Sequence, residues 1–101
     1  MKDKLCESLN VIEDATEQLW QGKGTDVGEI SETLNNVINI IMNIAEKLPD
    51  EDRIVTMSYI ERGLSDYKMA CEKRDDFLLA DCLFYQWREI ILIFSEAIEV
   101  Q

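Results

Sequence analysis

The chain has 101 residues, 47 % of them hydrophobic, with 21 acidic side chains against 10 basic ones and a net charge of −11. That length suits a single domain over residues 1–101, and the longest apolar run, Ile90 to Phe94, falls far short of the roughly 18 residues of a membrane span. The acidity is spread, nine acids against four bases in residues 1–48 and twelve against six in 49–101, so nucleic acid and anionic membranes are repelled and neither is an expected partner.

The chain starts Met1-Lys2-Asp3-Lys4 and leads straight into a charged helix, without the apolar stretch of a secretion signal, so the expected location is the cytoplasm. Cys6, Cys71 and Cys82 agree with that, because an odd number without short spacings makes neither a disulfide framework nor a zinc pair. All three read as small buried hydrophobes.

The first helix is predicted from about Lys2 to Gln21, with Leu5, Leu9, Ile12, Thr16 and Leu19 turned inward. Gly22 and Gly24 end it, since a left-handed helix terminus favours glycine. Thr25 or Asp26 then caps a second helix, with Glu29 at the third position of a capping box if Asp26 is the cap. This second helix carries the clearest pattern in the chain: Val27, Ile30, Leu34, Val37, Ile41, Ile44 and Leu48 step by three and four along one face. Asn35, Asn36, Asn39 and Asn43 relieve its otherwise apolar second half and are read as surface.

Pro49 stops the second helix, and Asp50, Glu51 and Asp52 favour the positive end of a third, about 51–73. Its inward row is read as Ile54, Met57, Ile60, Leu64, Tyr67 and Cys71. Gly63 in mid-helix costs about 1 kcal/mol relative to alanine, so either a neighbour approaches closely there or the helix bends. Asp75 or Asp76 caps the fourth helix, which reaches about residue 99 and is the most apolar element. One stripe, Leu79 or Ala80, Leu83, Trp87, Ile90, Phe94 and Ile98, supplies an ordinary core. A second, Phe77, Phe84, Ile91 and Ile98 at seven-residue spacing with Tyr85 and Leu92 beside it, is left over. Short connections between long helices predict an all-α, up-down-up-down antiparallel four-helix bundle.

The surplus stripe is the candidate contact surface: Phe77, Phe84, Tyr85, Ile91 and Leu92, joined by Trp20 at the end of the first helix. It predicts a homodimer through the fourth helix, or a helical protein partner. Shielding of an amphipathic client segment, in the manner of an export or flagellar chaperone, is the alternative. Catalysis is not expected. The chain has no histidine, which removes the commonest general base and every Ser-His or Cys-His pair, and no cofactor or metal is expected. Asp81, Arg88 and Glu89 are the one polar set within the fourth helix, and exposed faces explain them most simply.

The segments Glu17-Gln18-Leu19-Trp20-Gln21-Gly22-Lys23 and Asp75-Asp76-Phe77-Leu78-Leu79-Ala80-Asp81-Cys82-Leu83 resemble a loose group of small, uncharacterised all-helical proteins of Gram-positive bacteria. The likeness covers about a third of the chain. It implies a bacterial helical domain, and some of those proteins look like companions of motility or export components.

Overall fold

A computed structural model describes residues 2–100, with the side chains of residues 3–96. Four helical rods account for nearly all of it: α1 (Lys2–Trp20), α2 (Val27–Ala45), α3 (Asp50–Lys73), and a fourth rod made of α4 (Asp76–Cys82), a π-helical turn (Leu83–Trp87) and α5 (Arg88–Val100). The described residues contain no strand. In cross-section α1 lies between α2 and the fourth rod, while α3 packs on α4 and touches α2 more lightly. Contacts such as Arg88 with Glu13 and Trp20 with Phe84 run antiparallel between α1 and the fourth rod. The result is the antiparallel four-helix bundle, 41 × 24 × 19 Å.

The turns form by the local chemistry expected of them. Gly22 and Gly24 take φ of 74° and 73°, and Asp26 caps α2 by accepting from the Glu29 amide at 3.2 Å. Pro49 precedes α3, whose first turn holds Asp50, Glu51 and Asp52. Arg74 closes α3 in the left-handed conformation, and the Asp75 carboxylate accepts from the Leu78 amide at 3.1 Å.

The core joins Leu5, Ile12 and Leu19 of α1 to Ile30, Leu34, Val37, Ile41 and Ile44 of α2, and both to Leu79, Leu83, Trp87 and Ile91 of the fourth rod. Thr16 is buried as read, its hydroxyl donating to the Ile12 carbonyl at 2.8 Å, and the four asparagines of α2 are exposed. Cys6 corrects the reading of three buried thiols: it is exposed, whereas Cys71 is half-buried and Cys82 buried. Cys6 is offset by about 100° from buried Leu5, which turns it out of the core.

Two departures from simple periodicity place the surfaces that matter for function. In α3 the buried row is Thr56, Ile60, Gly63, Tyr67 and Ala70, while Ile54 and Leu64, read as inward, are exposed. Gly63 sets this rotation. A Cβ there would stand 3.1 Å from Cζ2 of Trp87, tighter than an ordinary carbon contact, so the glycine lets the buried indole approach without displacement, and the indole donates from Nε1 to the Gly63 carbonyl at 3.3 Å. Close approach, rather than bending, is why the glycine is tolerated. One turn further along the same row, Tyr67 pairs with Ser31 of α2 at 2.8 Å.

The second departure is the π-helical turn, in which the Arg88 amide bonds to the Leu83 carbonyl five residues back. In an unbroken α-helix Leu79 and Ile91 would lie about 120° apart around the axis; one inserted residue brings them to within about 20°. Both are buried accordingly, at 4 % and 0 % exposure.

Candidate interaction surface

The π-helical turn breaks the seven-residue stripe read along the fourth helix. Phe77 and Ile91, about 40° apart in an uninterrupted helix, become about 140° apart, so one faces solvent and the other the core. Ile91 is therefore withdrawn from the contact surface: it is fully buried. Phe77 is 67 % exposed near the start of α4, Tyr85 is exposed, and Leu92 and Phe84 are half-buried. The side chain of Ile98 lies outside the described residues.

Phe84, Tyr85 and Trp20 do come together. The Trp20 and Phe84 rings are tilted at 5.2 Å between centroids, and Tyr85 meets Phe84 edge-on at 5.0 Å. Arg88 lies over the Phe84 ring at 5.0 Å and is held by Glu13 of α1 at 3.1 Å and Glu89 at 3.3 Å. The guanidinium, clamped between two carboxylates over an aromatic face, covers one side of this ridge and ties α1 to the fourth rod. Asp81 is exposed and takes no part.

On the other side of Tyr85 lies a broad concavity. The first half of α3 stands away from the start of α5 and leaves an open groove of about 510 Å³. Val55, Tyr59 and Ile60 form one wall; Tyr85, Ile93 and Phe94 form the other. Asp52, Arg62, Gln86 and Glu89 also line it. Its apolar groups are unusually open to solvent: Val55 is 53 % exposed, Tyr59 61 %, Tyr85 65 % and Ile93 60 %. The groove ends near the Gly63–Trp87 contact, which holds α3 tightly against the rod, and beside the Asp66 carboxylate that accepts from the Gln86 amide.

Of the residues the sequence pointed to as a contact surface, Tyr85 alone lines this groove; Ile93 and the α3 wall were missed. The signal was present in Val55 and Tyr59, four residues apart and outside the inward row, but assigning Ile54, Met57 and Leu64 to the core hid it. A smaller cleft of about 270 Å³ lies beside Trp20, Phe84 and Arg88.

The chemistry of the remaining polar groups is that of a packed interior. Burial, reinforced by the nearby Asp66 and Cys71, pushes the Cys82 thiol from 9.0 up to about 12, the reverse of what a nucleophile requires. Burial also raises Tyr67, against the lowering effect of its hydrogen bond to Ser31. Among the described residues no group of three or more His, Cys, Asp or Glu side chains is placed to hold a metal ion, and no helix is long and apolar enough to cross a membrane. No family model matches the chain, and no curated protein or solved structure matches it.

Proposed function

We propose that this chain is a non-enzymatic, cytoplasmic protein–protein interaction module that binds the apolar stripe of a partner helix in the groove between α3 and α5. One observation carries the reading: four large apolar side chains from two different helices, Val55, Tyr59, Tyr85 and Ile93, stay more than half exposed around a single concave groove. Scattered surface hydrophobes are ordinary, but apolar groups converging on one groove mark a contact site. The lining spans residues 52–62 of α3 and 85–94 of the fourth rod, about 15 Å along each axis at 1.5 Å per residue. That length takes about three turns of a docked helix, with anchors at i, i+3 or i+4, and i+7.

A second copy of the chain is the second reading. The exposed Phe77, the half-buried Leu92 and the Trp20–Phe84–Tyr85 ridge favour a dimer through the fourth rod. Light scattering across a wide concentration range, with titration of amphipathic helical peptides into the same samples, tests both. Binding of a peptide, or formation of a dimer, that is weakened by the double substitution Tyr59→Ala with Ile93→Ala supports the module. A monomer that takes up no helix refutes it. Both substituted side chains are mostly exposed, so the variant is expected to fold.

A further inference from the structure

We infer that the α3–α5 groove selects a cationic amphipathic helix over a second copy of the chain, an inference that rests on the groove being a helix-binding site. Charge decides between the occupants. Residues 50–62 of α3 carry four carboxylates against two guanidiniums, and residues 76–96 of the fourth rod carry four against one. These helices carry a net −5 over those lengths, and the groove's own charged lining, Asp52 and Glu89 against Arg62, is net −1 within a whole-chain charge of −11.

At the groove itself Asp52 and Glu89 face a single cation, Arg62. Arg88 partly offsets Glu89, but it is also engaged by Glu13 on the opposite side of the rod. A helix with an apolar stripe flanked by lysines or arginines would place its stripe on Val55, Tyr59 and Ile93 and its cations at Asp52 and Glu89. A second copy would bring another −11 to the same edges, and a net charge this far from zero keeps a chain monomeric.

The direct test uses two synthetic peptides of about 18 residues, long enough for a stable amphipathic helix, with one leucine pattern and either lysine or glutamate at every polar position. Each is titrated into the full chain by calorimetry, at low and high salt, alongside light scattering of the chain alone. The lysine peptide is expected to bind one to one, at least about tenfold tighter than the glutamate peptide, and to weaken about tenfold from 50 to 500 mM salt. Tyr59→Ala with Ile93→Ala should weaken it at least about tenfold, Asp52→Asn with Glu89→Gln should flatten the salt dependence, and Phe77→Ala, outside the groove, should change neither.

Equal binding of both peptides in the groove overturns the charge selection and leaves the helix-binding module standing. Lysine-peptide binding that ignores the groove substitutions overturns the inference as diffuse charge attraction. A dimer that binds neither peptide overturns it in favour of the second copy, and a monomer that binds neither removes the module as well.

Discussion

Replacing Gly63 by alanine should fail to stabilise this bundle, although the same change at an open mid-helix glycine gains about 1 kcal/mol. The new methyl would sit 3.1 Å from Trp87 Cζ2 and 3.2 Å from Cε2. Ordinary carbon contacts lie at about 3.5–4.0 Å, so the indole or α3 must retreat by about half an ångström. Trp87 has little room to do so, because it is fully buried and hydrogen-bonded to the Gly63 carbonyl. Overpacking of this kind costs about 1–3 kcal/mol, which gives a net change between about zero and 2 kcal/mol of destabilisation. Urea unfolding followed by circular dichroism measures it. A stabilisation by the full ~1 kcal/mol would show that the contact is slack. The decisive control is Trp87→Phe, which removes Cζ2 and Nε1: Gly63→Ala should then be less costly by about 1 kcal/mol or more, and additivity within about 0.5 kcal/mol would refute the reasoning. The contact also matters for the groove, since it sets the rotation of α3 that leaves Val55 and Tyr59 outside the core.

Other perturbations probe other parts of the chain. Deleting the exposed Tyr85 removes the inserted residue of the π-helical turn and should leave a cooperatively unfolding bundle, because Leu79 and Ile91 keep a common face; loss of the unfolding transition would contradict this. Asp26→Ala and Asp75→Ala should each cost about 1 kcal/mol and add in the double variant, measured as urea midpoints. Ellman's reagent at pH 8 should label Cys6 in the native protein and Cys82 only after denaturation. Because the folded Cys82 pKa is raised to about 12 from 9.0, its contribution to stability is intact below pH 9 and is lost as pH rises toward 12. Unfolding free energies taken across that window should fall by up to about 1.4 kcal/mol per pH unit from this group, and Tyr67 acts in the same direction. A flat profile from pH 9 to 11 would count against a buried thiol.

Spacing along the chain determined the four rods and their ends. The three-and-four step of α2, the positive-φ glycines after α1, Pro49 before α3 and the Asp75 cap are local features, and a helix forms or stops on the residues within one turn of it. The aromatic ridge was half legible for the same reason, since Phe84 and Tyr85 adjoin in sequence. The groove was not, because it depends on two rotations that local pattern does not encode. Gly63 turns α3 to meet an indole 24 residues away, exposing Val55 and Tyr59, and the inserted residue in the π-helical turn re-phases α5, burying Ile91 and leaving Ile93 outside. A helical stripe states which residues share a face only while the helix keeps 3.6 residues per turn, and it never states which face a neighbour will claim. Packing settles that: a fully buried indole hides a large apolar area, and here it lies against the bare backbone at Gly63.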